Sequence, residues 1–186
     1  KCSEEELKIM LRDQMDENFD TYPIENFSID DFDERTIKSY RNRFNTLNED
    51  HPFMSMDTIE FLMKIGALKK NRSTEKIEPT LGGLLVFGKT ESIKEAIPFI
   101  HFDYFDKSII SKERWNDRVV YDGTWGEANL YNFFFIVIQK LYNLVEKDFK
   151  IGNDNLSRMD YSDIHIAIRE AFVNSIIHAD FKIEEP

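Results

Sequence analysis

The sequence has very little cysteine, and this scarcity limits its chemistry. Cys2 is the single cysteine among 186 residues, so no disulfide can form within the chain and a cluster of thiolate metal ligands is excluded. No signal peptide is visible, because no apolar run follows a basic segment at the start. The longest apolar run, residues 133–138, is far too short to span a bilayer. We therefore expect a cytoplasmic protein with no membrane partner.

Positive charge is also scarce. The chain has 24 Lys and Arg against 35 Asp and Glu, which gives a net charge of −11. A surface this acidic repels phosphate backbones, so nonspecific nucleic-acid binding by the chain is disfavoured, and a local basic patch is the open alternative. Two basic groups lie among acidic residues, and solvated helix faces are the ordinary explanation of such groups. The two groups are Lys69, Lys70 and Arg72, and Lys38, Arg41 and Arg43.

Apolar and aromatic side chains, in contrast, are plentiful. Apolar residues make up 41% of the chain and include 16 Phe, which is enough to bury the core of one ordinary domain or two small ones. The patterns described below predict an α/β protein in the broad sense, a helix-rich α+β fold. We expect a helical pair, followed by a small antiparallel or mixed sheet packed against two long helices.

The first third of the chain predicts helices separated by a linker. A capped helix begins at Ser3 and ends near Asn18, and the acidic stretch 19–33 has no helical or strand period. Apolar residues at helical spacing predict a helix over 34–47, and a second helix opens at 55–57 and stops at Gly66. With the basic turn that follows, this pair resembles part of a winged helix, although two adjacent helices are also common by themselves.

The string from Pro79 to Lys89 predicts a short apolar helix that Thr80 caps and Gly88 ends. Gly82 and Gly83 have no side chains, so they permit the close approach of a neighbouring element. A phosphate-binding loop is the alternative, but the spacing does not fit a Walker motif and the run is too apolar.

The second half predicts two strands and two long helices. The strands fall at 97–105 and 118–123. A helix over 129–147 is apolar on nearly every face, which is typical of a central buried helix. A polar loop follows, and the final helix runs over 162–179.

The final helix places three polar side chains along one edge. Glu170, Asn174 and His178 are each one turn apart, beside the small residues Ala167, Ala171 and Ser175. An apolar arc anchors the helix in this interpretation. It comprises Ile166, Ile168, Phe172, Val173, Ile176 and Ile177. Because an amphipathic helix exposes polar residues by necessity, a merely solvated edge is the open alternative. His165 and His178 lie on different faces, which disfavours a metal site built from this pair.

Residues 169–181 closely resemble the first box of a family of bacterial transcriptional regulators, often labelled RecG-related helicases. These proteins carry a Schlafen/Alba-like DNA-binding domain followed by a divergent GHKL-type ATPase domain. Four further stretches resemble the same family in the same order, so the resemblance covers almost the whole chain. They are the end of the Alba-like domain at 3–7, its exit segment at 19–33, the string similar to Pro-Thr-x-x-Gly-Leu-Leu-Leu-Phe-Gly-Lys at 79–89, and the long helix at 123–141.

The resemblance implies roles for single residues. Glu170 matches the catalytic Glu that orients or activates the attacking water, and Asn174 matches the Asn that holds the Mg²⁺ of the bound nucleotide. His178 and Asp180 match the His and the Asp of a His-Arg-Asp-Tyr string that the resemblance assigns to cofactor binding, and Phe181 stands in place of the Tyr. Ala179 stands in place of the Arg, so a phosphate contact from that Arg is lost.

The resemblance also implies a division of the chain and its partners. Residues 1–33 match the tail of the Alba-like domain, 34–78 a helical segment, 79–160 a connector, and 161–186 the first helix of the ATPase domain. The Asp-x-Gly-x-Gly box and the DNA-facing sheet would lie outside the chain. We therefore expect ATP and Mg²⁺ in the parent protein but none bound to this piece, which is not a complete enzyme, and DNA contact through an upstream domain. The sequence does not determine the oligomeric state, and a homo-oligomer is one alternative.

Overall fold

The computed structural model describes residues 19–107, 117–121, 123–144, 163–179 and 181. Within them lie six α-helices and two two-stranded antiparallel sheets, which confirms the predicted helix-rich α+β class. None of the helices in this described part is long and apolar enough to cross a membrane.

The chain divides into two compact units, residues 1–96 and 97–186. The predicted helix at 3–18 and the predicted polar loop at 152–160 fall outside the described residues. The predicted division into four segments stays a prediction.

Capping residues set the start of the first two described helices of the first unit. Helix α1 spans Glu34–Leu47, as predicted, because the Asp33 carboxylate accepts the free backbone N–H groups of its first turn. Its apolar stripe is shorter than predicted, since Leu47 is 80% exposed. Helix α2 spans Thr58–Lys64 and is capped in the same way by Asp57.

Gly66 ends α2, as its position predicts. It has a φ of +81°, a conformation that costs glycine little. The Gly66 N–H donates to the Met63 carbonyl and the Ala67 N–H to the Leu62 carbonyl, which is the Schellman arrangement. The buried face of α2 is narrow, because Ile59 is exposed while Leu62 is fully buried.

A hairpin follows α2. Strands β1 (Leu68–Lys70) and β2 (Ile77–Pro79) pair antiparallel. Thr80 then caps helix α3 (Leu81–Phe87) by accepting the Gly83 N–H at 3.0 Å, and helix α4 (Thr90–Ala96) comes next. Gly82 and Gly83 lie inside α3 and Gly88 caps its end, so the glycines do not form a loop and the phosphate-loop alternative is wrong.

The close approach predicted for the paired glycines occurs at Gly83. A Cβ on this residue would lie 2.1 Å from the backbone oxygen of Ala67, a distance that no real side chain tolerates. The same Ala67 oxygen accepts the Thr80 N–H at 2.9 Å. Gly83 therefore lets α3 lie directly against the turn that follows α2.

The stretch 19–33 is packed, although its sequence predicts a linker. It forms short 3-10 turns at Phe19–Thr21 and Ile29–Asp31, and an isolated bridge joins Phe32 to Gly88. Phe32 is 1% exposed and packs against Phe87 with ring centroids 5.8 Å apart. A short apolar contact thus orders a segment that has no secondary-structure period of its own.

The second unit contains the small sheet and two long helices. Strands β3 (Asp103–Asp106) and β4 (Asp117–Val120) pair antiparallel, and the first of them is shorter than predicted. Helices α5 (Leu130–Leu144) and α6 (Asp163–Ile177) have 15 residues each. The core of this unit joins β4 to α5 through buried side chains. These are Val119, Phe133 and Val137.

An ion pair links the two strands of this sheet. The Arg118 guanidinium donates two hydrogen bonds to the Asp103 carboxylate, at 3.1 and 2.6 Å, and His101 lies 3.6 Å from the same carboxylate. Arg118 lowers the pKa of Asp103 first of all, and His101 acts in the same direction, while burial opposes them.

We predict that Gly83→Ala destabilises the first unit by about 3 kcal/mol, because the new methyl group meets backbone rather than a flexible side chain. Gly82→Ala is the matched control, since its Cβ would meet the Asp20 oxygen at 3.3 Å. The control should change stability by about 1 kcal/mol or less. Urea unfolding followed by circular dichroism measures both, and equal losses would contradict the close contact.

We also predict a pH-dependent contribution from Arg118. Because the pKa of Asp103 is lowered on folding, the pair stabilises the fold above the unfolded value of about 3.9 and loses this effect as the pH falls through the folded value. The difference in unfolding free energy between wild type and Arg118→Gln should therefore be largest above about pH 5 and shrink towards pH 2. Unfolding followed by tryptophan fluorescence measures it, and a difference that stays constant with pH would argue against the pair.

Candidate functional site

The position of helix α6 is fixed by aromatic packing against α5. The Phe172 ring stacks on Phe134, with centroids 5.4 Å apart and planes 6° from parallel. Phe133, which is in the core of the unit, contacts the same ring at 6.4 Å. Such aromatic pairs contribute about 0.5–1.5 kcal/mol beyond the burial of their area. Phe172 is therefore the central anchor of α6.

A second contact lies near the start of α6. The His165 ring meets Tyr142 edge to face, with centroids 4.8 Å apart, and His165 is the one residue of α6 that is buried. Because His165 lies near the start of α6 and Tyr142 near the end of α5, the two helices run antiparallel. Sequence reasoning did not identify His165 as an anchor. The spacing of seven residues between His165 and Phe172 could have identified it, because this spacing places both side chains on one face of a helix.

The anchoring face is narrower than the apolar arc in the sequence predicts. Ile168, Phe172 and Ile176 are half-buried, on the side that carries His165. The remaining apolar residues of the predicted arc are exposed, so that part of the prediction is wrong. They are Ile166, Val173 and Ile177. At about 100° per residue, these three lie next to Glu170 rather than opposite to it.

The predicted polar edge of α6 is exposed at every described position. Glu170, Asn174 and His178 are all exposed, and no hydrogen bond or ion pair joins their side chains to any other described residue. The backbone is helical through this edge, since the His178 N–H donates to the Asn174 carbonyl at 3.1 Å. Asp180 falls outside the described residues.

Successive residues of this edge are one turn apart. Side chains at this spacing have Cβ atoms about 5–6 Å from each other, so one ligand can contact both Glu170 and Asn174. Ala167 and Ala171 are exposed and add no bulk on one side of the edge, whereas exposed apolar side chains lie on the other side. These are Ile166, Val173 and Ile177. The edge is exposed to solvent between these two sides.

The donor atoms of the edge suit a hard cation that is shared with a ligand. Mg²⁺ prefers oxygen ligands, keeps several waters and is usually bound through one or two protein groups plus substrate phosphates. The Asn174 amide oxygen and the Glu170 carboxylate are oxygen donors of this kind. In the described part of the chain, the structure contains no group of three or more His, Cys, Asp or Glu side chains that could hold a metal ion. A cation at this edge would therefore need further ligands from a bound phosphate or from water.

A family model described as a domain of unknown function (DUF8451) matches residues 8–103, which is just over half of the chain. The edge of α6 lies outside this match. No curated protein and no solved structure shows significant similarity to the chain.

We predict that Phe172→Ala destabilises the second unit by roughly 2 kcal/mol, because it removes the ring that holds α6 on α5. Val173→Ala, at the neighbouring exposed position, should cost less than about 1 kcal/mol and serves as the control. Both tryptophans of the chain lie after residue 97, so tryptophan fluorescence during urea unfolding follows this unit. Equal losses in the two variants would argue against the Phe172 anchor.

Proposed function

The chain belongs to the family described as a domain of unknown function (DUF8451), and we propose that it is the central part of a bacterial DNA-binding transcriptional regulator. In this proposal it links an upstream Schlafen/Alba-like DNA-binding domain to a downstream GHKL-type ATP-binding domain. The resemblance of several stretches in family order supports the proposal. The observation that carries it is the open polar edge of α6, with its apolar back held on α5.

Each residue of the edge has a role in this proposal. The Asn174 amide oxygen would hold the Mg²⁺ that accompanies ATP, and the metal would neutralise phosphate charge when bound. The Glu170 carboxylate would accept a hydrogen bond from the water nearest the terminal phosphate. His178 would contact the nucleotide, as would Asp180, which lies outside the described residues. The nucleotide pocket itself would be completed by residues beyond this chain.

A path for coupling runs through α5. Phe172 on α6 contacts Phe133, and Phe133 packs with Val119 of β4 in the core of the second unit. A shift of α6 on nucleotide binding would therefore move an apolar contact instead of an exposed loop, and packed cores transmit such shifts. In the proposal, this is how ATP binding changes the affinity of the regulator for DNA.

The exposed Glu170 favours a second candidate, an ATPase related to helicases. Its carboxylate makes no hydrogen bond to any described residue, so it is free to accept one from a water molecule. The two candidates differ in whether ATP is consumed. A third hypothesis is a plain structural connector with a solvated polar edge. It requires neither ATP binding nor coupling between ATP binding and DNA affinity.

We predict that ATP with Mg²⁺ changes the DNA affinity of the gene product that carries this chain by about 5-fold or more, a typical coupling. Asn174→Ala should weaken ATP binding in the presence of Mg²⁺ by about tenfold or more and abolish the change, because the amide oxygen is lost. Ser175→Ala is the matched control on the next residue and should behave as wild type. Fluorescence anisotropy of labelled DNA and of labelled ATP measures both effects.

Glu170→Gln separates the candidates. An ATPase should lose most of its turnover in this variant and keep nucleotide binding, whereas a sensor that does not hydrolyse ATP shows no turnover to lose and keeps its coupling. Unchanged DNA affinity with ATP and Mg²⁺ in the wild-type protein would contradict the regulator proposal. Absence of ATP binding would contradict both candidates and favour the hypothesis of a plain structural connector.

A further inference from the structure

Positive charge is concentrated around the β1–β2 hairpin. Residues 64–76 contain five basic residues and one acidic residue, in a chain whose net charge is −11. All five basic side chains are exposed, so the concentration is a property of the surface. They are Lys64, Lys69, Lys70, Arg72 and Lys76. A local reversal of charge of this size is the electrostatic footprint of a surface that meets a polyanion.

Folding of the hairpin brings its cations closer than their order in the sequence implies. The Asn71 N–H donates to the Lys76 carbonyl at 2.8 Å, so Lys76 lies across the hairpin from Asn71, near both Lys70 and Arg72. Glu75 forms an ion pair with Lys70. Arg72 and Lys76 form no ion pair with any residue that the structure describes, and both are exposed.

The tip of the hairpin, residues 71–76, is held in one conformation by a buried carboxylate. Glu78 is 3% exposed and accepts hydrogen bonds from Asn71 Nδ2 at 2.6 Å and from Thr74 Oγ1 at 3.1 Å. The Asn71 side chain in turn accepts the Ser73 N–H at 2.9 Å. A tip fixed in this way loses little conformational entropy when a partner binds.

A cleft of about 600 Å³ lies beside the tip, lined by residues 74–78 of the hairpin and residues 25–28. Its lining includes the acidic residues Glu25 and Glu75 besides Lys76, so the cleft itself is not the basic surface. The basic surface is formed by the exposed cations of the hairpin.

We infer that this tip is a wing that contacts the phosphate backbone of double-stranded DNA. Helices α1 and α2 precede the antiparallel β1–β2 hairpin along the chain, an order that resembles part of a winged helix. A two-stranded ribbon has the width that a DNA groove admits. The contact goes beyond the proposed function, which assigns DNA binding to residues outside this chain.

Binding of a duplex of about 20 base pairs by the full 186-residue chain tests the inference, with fluorescence anisotropy measured over a range of salt concentrations. The wild-type chain should bind at low salt without ATP. The double variant Arg72→Gln/Lys76→Gln should lower the affinity by about tenfold or more and reduce the slope of log K against log salt by roughly 2, because each lost phosphate contact removes about 0.9.

The double variant Arg35→Gln/Lys38→Gln is the control. It removes the same charge from exposed positions on α1 in the same unit, and it should leave the affinity within about twofold of wild type. Circular dichroism checks that both variants are folded. No duplex binding by the wild-type chain at low salt, or equal losses in the two variants, would overturn the inference.

Polyglutamate of similar charge is the second probe. If it binds as tightly as the duplex and with the same sensitivity to Arg72 and Lys76, the tip recognises an acidic protein surface and the DNA assignment is wrong. The result is independent of the proposed function, because it requires neither ATP nor the α6 edge. A chain that binds the duplex, within a gene product whose DNA affinity does not respond to ATP, would contradict only the regulator proposal.

Discussion

The stacking of Phe172 on α5 is the contact on which the candidate site depends. Successive side chains of an α-helix are about 100° apart around its axis. The side chain that packs against the neighbouring helix therefore determines which edge of the helix faces solvent. Phe172 packs against Phe133 and Phe134, and His165 packs on the same side of α6. Glu170 and Asn174 are exposed as a result. The polar edge is thus set by apolar packing elsewhere on the helix, since its own side chains have no partners among the described residues.

The first unit depends on a different constraint, the close approach of two backbones. Gly83 lets α3 lie against the carbonyl of Ala67, and Thr80 bonds to the same turn through its hydroxyl at 2.8 Å from the Gly66 oxygen. This contact sets the base of the hairpin, and the buried carboxylate of Glu78 sets its tip. The buried carboxylate of Glu78 therefore orders the loop that carries the exposed cations.

Local chemistry made much of the fold predictable. The side chains of Asp33, Asp57 and Thr80 cap helices where the sequence places them, and Gly66 ends a helix in the left-handed conformation that glycine favours. These signals act within a few residues, so a single sequence contains all the information they need. The paired glycines predict a close approach in the same local way, but the partner at Gly83, the backbone of Ala67, lies 16 residues away and is shown only by the structure.

Features that depend on distant partners were not predictable in this way. The stretch 19–33 is ordered by Phe32 against Phe87, a contact that no local period announces. Ile166 and Ile177 are apolar yet exposed, because the face that α5 covers is narrower than the apolar arc. The sequence alone favours solvated helix faces for Lys69, Lys70 and Arg72. Strand pairing shows instead that these residues belong to a hairpin and that Lys76 lies near Arg72.

The central claim is that α6 holds Glu170 and Asn174 towards solvent while Ile168 and Ile176 face α5. Thiol-labelling rates of single-cysteine variants test it most directly, with Cys2 replaced by Ser so that each chain has one thiol. The account predicts labelling at positions 170 and 174 about tenfold or more faster than at positions 168 and 176, because labelling at the half-buried positions requires local opening. Equal rates at the four positions, or the reverse order, would contradict it.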